Sequence, residues 1–223
     1  PEDYGSDICV DSPDGDFSFT PIHVCSFSES VGPFDVLILA TKVLPTIDSV
    51  ALTQPFMSPT TLLLVIQNGL FIEDPLLAAY DQPILRCLAF ICVARASKTH
   101  IQHMDFGSLS IGLLNGDMAQ LTGHPLLDLL SQLPISVRVC SNIRQAIWEK
   151  LVWNAPFNPL SVLYPGATTA DLLNHEDSFA RIRAIMQEVQ RGAQVDGIHI
   201  PDQFIEDKIR QTKAMRPYKT SMC

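Results

Sequence analysis

Residues 35–41 read DVLILAT, in which every residue between the terminal aspartate and threonine is apolar. An alternating pattern would indicate a strand with one solvent face, whereas a continuous apolar run is typical of a strand buried on both faces of a parallel sheet. Two further runs are largely apolar, TLLLVIQ at 61–67 and ILRCLAFICVARA at 84–96. Segments of helical length and spacing lie between these runs, at 44–54 and 73–80. This alternation predicts an α/β fold with a Rossmann-like parallel sheet.

The remainder of the first 140 residues adds shorter elements. The sequence predicts strands at 8–10, 17–24 and 135–140, and a helix at 117–133 interrupted by Pro125. Residues 100–106 and 109–115 are predicted to form a hairpin that turns at Gly107 and Ser108. The first half of the chain is therefore expected to be rich in strands.

From Ser141 onward the pattern is helical, and Ser141 itself is a plausible N-cap. Apolar residues recur there at helical spacing, at Phe179, Ile182, Met186, Val189 and Ala193. A further helix is expected at 202–214, with Asp202 as its cap. We therefore predict an α/β domain over 1–140, followed by an all-α domain over 141–223.

Composition is typical of a globular protein and excludes several classes of partner. Hydrophobic residues make up 47% of the chain and charged residues 17%, which is ample for a packed core. The net charge of −9, without any basic run, argues against nucleic acid and anionic membranes as partners. No apolar run approaches the ~20 residues of a membrane helix. The six cysteines lack a CxxC pair and favour reduced thiols in a cytoplasmic protein, and the six histidines have no metal-ligand spacing.

Polar residues follow two of the predicted strands. Lys42 comes directly after the first apolar run, and Asn68 and Gly69 follow the second. Ligands of doubly wound sheets bind beyond the carboxyl ends of the strands, so these residues could meet a ribose, a phosphate or a carboxamide. The alternative is that Lys42 is a solvated residue at a helix start and that Asn-Gly is an ordinary turn.

A second polar group lies in the apolar segment SNIRQAIWEKLVWNAPFNPLSVL at 141–163. Steps of four residues advance about 40° around a helix, so Lys150, Asn154 and Asn158 share one stripe. Shielding from water lowers the pKa of a lysine and makes it a usable general acid, and two amides beside it could hold a carboxylate or a hydroxyl. The alternative is a lysine that extends to the surface and two asparagines that cap turns before prolines.

Four segments of the chain together resemble the ketopantoate reductase (2-dehydropantoate 2-reductase) family. In order along the chain they read DVLILATK, VIQNGL, WEKLVWNAPFNPLSVL and PYKTSM. The third is the most specific, because the family's catalytic segment has the form W-x-K-x-x-x-N-x-x-x-N-P-L. The resemblance extends over essentially the whole chain.

The resemblance implies a function and a second-domain type. Members of this family reduce ketopantoate to pantoate with NADPH, in pantothenate and coenzyme A biosynthesis. It also implies a partial NADP-binding Rossmann-like domain, followed by part of an all-α domain of the 6-phosphogluconate-dehydrogenase-like type. Lys150 would be the general acid. The substrate would be bound by Asn154, Asn158, Ser221 and Asn68. The cofactor would be bound by Lys42, Asn68 and Ala94.

The chain also departs from the family pattern. It contains no GxGxxG motif, which cradles the pyrophosphate in such enzymes, and Thr168 stands where some members have an asparagine that contacts substrate. We therefore expect a piece of a longer protein, without the N-terminal glycine unit and the end of the helical domain. Two alternatives stay open: a reductase of another 2-oxo acid, and a non-catalytic remnant that dimerises or binds a partner. Each of these alternatives is compatible with a homodimer.

Overall fold

The computed structural model of the chain describes residues 7–21, 24 and 32–220. It divides into two compact units, with the division between Ile143 and Arg144. The predicted domain boundary at 140/141 falls three residues before this division.

Among the described residues, seven strands form one sheet in the first unit. They are β1 (Ile8–Asp11), β2 (Phe17–Phe19), β3 (Val36–Leu39), β4 (Leu62–Val65), β5 (Ile84–Arg95), β6 (His100–Leu113) and β7 (Ser136–Val139). The strand order is β2-β1-β6-β5-β4-β3, and β7 pairs with β6 beside this path. The predicted strand at 17–24 is shorter than expected, and residues 22–23 of it lie outside the described residues.

Strand β4 is buried on both faces, as its continuous apolar run predicts. One face carries Leu62 and Leu64, which belong to a buried cluster with Leu85 of β5. The opposite face carries Leu63 and Val65, which pack in a second cluster. The apolar run therefore forms the centre of the core, with each alternate side chain contributing to a different layer.

The prediction of complete burial is wrong for β3. Its Ile38 is 53% exposed, although it pairs in register with the buried Leu64 of β4. The reason is its place in the sheet, because β3 is the last strand in the described order and has a neighbour on one side only. An apolar run predicts a strand, but its position in the sheet decides how much of it is covered.

The sheet is mixed, whereas the sequence predicted a parallel one. Strands β3, β4 and β5 are parallel, as are the pairs β1–β6 and β6–β7. The long pair β5–β6 and the pair β1–β2 are antiparallel. The predicted α/β class with a Rossmann-like sheet is nevertheless confirmed, and its strands β3, β4 and β5 are adjacent and parallel, so their carboxyl ends lie at one edge of the sheet.

The predicted hairpin at 100–115 is also wrong, because β6 runs through it as one strand. Ser108 pairs with Phe90 and Phe106 pairs with Ile91, so Gly107 is left without a partner between them. Gly107 has a φ of 152° and Phe106 a φ of 61°. The Gly-Ser pair therefore produces a bulge that is absorbed within the strand, and no chain reversal.

In the part of the first unit that the structure describes, three short helices cover the sheet. They are α1 (Ser49–Thr53), α2 (Asp74–Ala79) and α3 (Pro125–Ser131), with single 3₁₀ turns at Gln54–Phe56 and Met118–Leu121. The helix predicted from residue 44 begins five residues later, because the Asp48 carboxylate accepts hydrogen bonds from the amides of Val50 and Ala51 and caps it there. Pro125 starts a helix instead of interrupting one, since proline suits the first helical position.

The second unit consists of helices α4 (Ile143–Leu163), α5 (Thr169–Asn174), α6 (Glu176–Val195) and α7 (Asp202–Ala214). The apolar stripe predicted for α6 is confirmed for Ile182, Met186, Val189 and Ala193, which are buried, while its first member Phe179 is half-buried. Two predicted caps are wrong: α4 begins two residues after Ser141, and Asp202 is the first residue of α7, whose N-cap is Pro201. Within the described residues, none of the helices is long and apolar enough to span a membrane.

Gly112 of β6 provides a test of the packing in the first unit. A Cβ atom added at Gly112 would lie 2.7 Å from Cβ of Ile143 and 2.9 Å from the carbonyl oxygen of Cys140. We expect Gly112→Ala to lower the free energy of unfolding by about 1–3 kcal/mol through overpacking. Urea denaturation measures this change, with Ser108→Ala on the same strand as the matched control. Equal stabilities of the two variants would contradict the close approach.

Candidate active site

The ends of β3 and β4 lie at the same edge of the sheet. Leu39 of β3 pairs in register with Val65 of β4, and this is the last pair of the two strands. Lys42 lies three residues after Leu39, and Asn68 lies three residues after Val65. The Gln67 amide joins the two segments, because its Nε2 donates to the Thr41 carbonyl oxygen at 2.8 Å and contacts Thr41 Oγ1 at 3.1 Å. Lys42 and Asn68 are both exposed. The first unit therefore presents one cation and one amide at the edge where such sheets bind ligands.

The segment after β4 has a constrained backbone. Gly69 has a φ of 126°, and a Cβ atom there would lie 2.7 Å from Cγ2 of Ile72. Phe71 has a φ of 60°, which is rare for a residue with a side chain. Position 69 thus requires glycine for both its conformation and its space.

Arg86 is a residue of this edge that the sequence analysis missed. It lies on β5, in register with Val65, and its Nη2 donates to the Gly69 carbonyl oxygen at 3.0 Å. The available signal was a cation inside the apolar run ILRCLAF, where an unpaired charge would be costly.

Ala94 lies on β5, whereas the other predicted cofactor residues, Lys42 and Asn68, follow β3 and β4. It is exposed and pairs with Gln102 of β6. Eight residues separate it from Arg86, which corresponds to about 26 Å along an extended strand. Its contact with a cofactor stays a prediction.

In the second unit, Lys150, Asn154 and Asn158 lie on one stripe of α4, and all three are half-buried. The helix is continuous through Pro156 and Pro159. Because proline has no amide hydrogen, the stripe runs beside two positions where the i→i−4 hydrogen bond of the helix cannot form. The predicted spacing of the three polar side chains is therefore realised on a single rigid element.

The side-chain amides of Asn154 and Asn158 have donors and acceptors that are available to a ligand. Among the described residues, no hydrogen bond to the side chain of Asn154 or Asn158 is formed, while the Asn158 backbone carbonyl accepts one from Ser161 Oγ at 2.7 Å. Each amide offers two donors and one acceptor. Together with the ammonium of Lys150, such groups suit a small anionic or hydroxylated ligand.

Two tryptophans hold α4 against its neighbours in the second unit. Trp148 Nε1 donates to Asp196 Oδ2 at 2.7 Å, and Trp153 Nε1 donates to Thr212 Oγ1 at 2.9 Å. The Trp153 ring also stacks on Phe157, with centroids 4.7 Å apart. The two hydrogen bonds to residues outside α4 restrict rotation of the helix about its axis, and so they fix the direction of the polar stripe.

The segment after α7 packs along α4. Tyr218 stacks on Trp153 with ring centroids 6.1 Å apart, and Thr220 Oγ1 lies 2.6 Å from Ser161 Oγ. The predicted substrate residue Ser221 lies outside the described residues. The residue immediately before it is nevertheless bonded to α4 within one turn of Asn158.

Thr168, the position predicted to depart from the family pattern, has a structural role. It is the N-cap of α5, where its Oγ1 contacts Asp171 Oδ2 at 2.7 Å and its amide donates to the same oxygen at 2.8 Å. Asp171 in turn donates its amide to Thr168 Oγ1 at 3.3 Å. Thr168 thus completes a capping box.

Comparisons with known proteins match both units. Residues 5–116 match the family described as ketopantoate reductase PanE/ApbA, and residues 142–223 match its C-terminal counterpart. A 2-dehydropantoate 2-reductase of Nostoc sp. is 29% identical over 223 aligned residues, which cover 96% of this chain and 69% of that protein.

Solved structures agree with these matches. The crystal structure of 2-dehydropantoate 2-reductase from Methylococcus capsulatus is 36% identical, with a TM-score of 0.82, over 96% of this chain and 69% of that one. The corresponding enzyme from Geobacter metallireducens is 29% identical, with a TM-score of 0.85, over 96% of this chain and 72% of that one. The similarity therefore extends through both units.

The capping box predicts how stability depends on pH. Hydrogen bonds from the Thr168 amide and hydroxyl lower the pKa of Asp171, so their contribution is present at neutral pH and is lost as the pH falls through this lowered pKa. We expect Thr168→Ala to cost about 0.5–2 kcal/mol at pH 7 and less in acid. Thermal unfolding between pH 7 and pH 2 measures the difference, with Thr168→Asn as a control that retains a good cap. A difference that does not change with pH would contradict this role of Asp171.

Proposed function

Because the chain belongs to the ketopantoate reductase family, we propose that it reduces 2-dehydropantoate to pantoate with NADPH, in the biosynthesis of pantothenate and coenzyme A. The observation that carries this proposal is the stripe of Lys150, Asn154 and Asn158 on α4, within a unit that the family matches. One cation and two neutral amides suit a substrate with a carboxylate and a carbonyl that becomes a hydroxyl.

Asn154 and Asn158 are the proposed substrate-positioning groups. Their side-chain amides make no hydrogen bond within the described part of the chain, so their donors can bind the oxygens of a 2-oxo acid without breaking an internal bond. Ser221 is proposed to add a hydroxyl donor to the carboxylate, because its neighbour Thr220 contacts α4 through Ser161. Held on one helix, the two asparagines would orient the substrate at little entropic cost.

Lys150 is the proposed general acid. Reduction of a ketone places negative charge on the carbonyl oxygen, and an ammonium beside that oxygen stabilises the charge as it develops. The same ammonium then donates its proton to the oxygen, which completes the hydroxyl of the product. A half-buried position on a helix held by two tryptophans suits both roles.

The residues at the sheet edge fit part of a nicotinamide cofactor. When bound, NADPH supplies the hydride that adds to the keto carbon. Lys42 offers an exposed cation to a phosphate, and Asn68 offers an exposed amide to a ribose or carboxamide. Gly69, which has no Cβ, permits a close approach to the backbone. Ala94 is proposed to contact the cofactor through its backbone.

A related 2-oxo acid is a second candidate substrate. It is favoured by Thr168, whose hydroxyl is engaged in the cap of α5 where some members of the family have an asparagine for substrate. Steady-state kinetics on a panel of branched 2-oxo acids would distinguish the two. A kcat/KM for another acid that exceeds the value for ketopantoate would replace the substrate proposed here.

A non-catalytic binding or dimerisation role is the alternative of a different class. It is favoured by the sequence, because these 223 residues contain no GxGxxG motif for the pyrophosphate. Calorimetric titration of the 223-residue chain with NADPH decides between them. Micromolar binding would exclude the non-catalytic role, whereas undetectable binding together with a stable dimer would support it.

Lys150 provides the test of the mechanism. We expect Lys150→Ala to reduce turnover about 10²- to 10⁴-fold, because both charge stabilisation and proton donation are lost, with little change in NADPH affinity. Lys150→Arg should recover part of the activity at most, since a guanidinium keeps the charge but does not give up a proton. The measurement is kcat at saturating NADPH, with Lys213→Ala on α7 as the control. Unchanged turnover of Lys150→Ala would remove Lys150 from the mechanism.

A further inference from the structure

Two opposite charges are buried in the first unit, in a place where the proposed mechanism does not use them. The Arg86 side chain is 0% exposed and the Glu73 side chain 1% exposed. Arg86 lies on β5 between buried apolar residues, and Glu73 immediately precedes α2. Burial of a charged pair costs free energy that its mutual attraction only partly recovers. An apolar pair would fill the same space at lower cost, so the polar contacts of Arg86 require an explanation.

Those contacts join the two ends of one loop, residues 68–73. Nη2 of Arg86 donates to the Gly69 carbonyl oxygen at 3.0 Å, and Nε lies 3.9 Å from Oε2 of Glu73. Gly69 follows Asn68 directly, while Glu73 is the last residue before α2. We refer to Arg86 and Glu73 together as the loop clamp.

The loop that the clamp spans is conformationally costly. Gly69 and Phe71 both have positive φ angles, of 126° and 60°. Glycine adopts such an angle at little cost, but Phe71 has a side chain, and a strained residue of that kind persists only where its surroundings hold it. Arg86 pairs in register with Val65, the last residue of β4, and so it lies at the point where the loop begins.

The hydrogen bond to the Gly69 carbonyl oxygen is the main interaction between Arg86 and the loop. Among the described residues, Nε and Nη1 of Arg86 and both carboxylate oxygens of Glu73 make no hydrogen bond, and their ion pair at 3.9 Å is a loose one. Burial lowers the pKa of Arg86, and the Glu73 carboxylate opposes this by favouring the charged form. Glu73 thus acts as the counter-ion, while Arg86 makes the directional contact with the loop.

We propose that Arg86, with Glu73 as its counter-ion, is a positioning residue that holds Asn68 and Gly69 in the orientation that binds the nicotinamide cofactor. This inference rests on the proposed function, because Asn68 is assigned to the cofactor there. The loop clamp acts through the loop and touches neither cofactor nor substrate. It should therefore affect cofactor affinity and leave the chemical step unaltered.

The test combines four variants of the full chain with two measurements. The variants are Arg86→Met, Arg86→Lys, the double variant Arg86→Met/Glu73→Leu, and Leu88→Ala as the control. The double variant removes both charges, so it avoids the uncompensated buried carboxylate that could prevent Arg86→Met from folding. Leu88 is 2% exposed and lies two residues along β5 on the same face as Arg86, so its truncation disturbs the same core without removing the bond to Gly69.

The first measurement concerns the cofactor: the dissociation constant of NADPH is obtained by calorimetric titration, and kcat is determined at saturating NADPH for comparison. We expect the double variant to bind NADPH about 10-fold or more weakly, with kcat within about twofold of the wild type, as for loss of one charge-assisted hydrogen bond. Arg86→Lys should recover part of the affinity, because it keeps a charged donor. Leu88→Ala should bind like the wild type even if it is less stable. Wild-type affinity in the folded double variant would overturn the proposal.

The second measurement does not depend on the proposed function. Amide hydrogen exchange of residues 68–73 in the absence of cofactor should be faster in the double variant and close to wild type in Leu88→Ala. If the wild-type chain fails to bind NADPH, the proposed function is contradicted, and the exchange rates still decide whether the loop clamp holds the loop. Unchanged exchange in the double variant would overturn the loop clamp itself.

Discussion

The parallel pairing of β4 with both of its neighbours is the constraint on which the first unit depends. Leu39, Val65 and Arg86 are aligned across three adjacent strands. This alignment brings the ends of β3 and β4 to one edge, which allows Gln67 to bond Thr41. It also places Arg86 at the end of β4, within reach of the loop that follows. The candidate cofactor residues are thus consequences of strand register.

The second unit depends on a different constraint, the fixed rotation of α4. The helix keeps its course through two prolines, and hydrogen bonds from Trp148 and Trp153 tie it to Asp196 and Thr212. Without such ties a helix with apolar residues on most sides would have little reason to prefer one orientation. The polar stripe of α4 therefore owes its direction to aromatic anchors on other sides of the same helix.

Sequence patterns predicted most of the elements, and two of the failures have a common cause. The apolar run of β4 and the amphipathic stripe of α6 were identified correctly, because a continuous apolar run and a helical period can both be recognised within one local segment of the sequence. The hairpin at Gly107 failed because pairing with β5 continues through the turn signal. The burial expected for β3 failed because the strand lies at the end of the described sheet. Both failures concern strand pairing with distant segments, which a local sequence pattern does not specify.

The sequence by itself determined the α/β-then-α organisation, the family, and the spacing of the polar stripe on α4. Each depends on the order of residues along the chain and on the period of a helix or strand. Only the tertiary structure decided that the sheet is mixed. It also decided that Arg86 bonds to Gly69, 17 residues away in the sequence, and that Trp148 bonds to Asp196, 48 residues away. Contacts of this kind depend on register and packing between distant segments. Hydrophobic periodicity specifies which side of an element is buried, but not which residue it meets there.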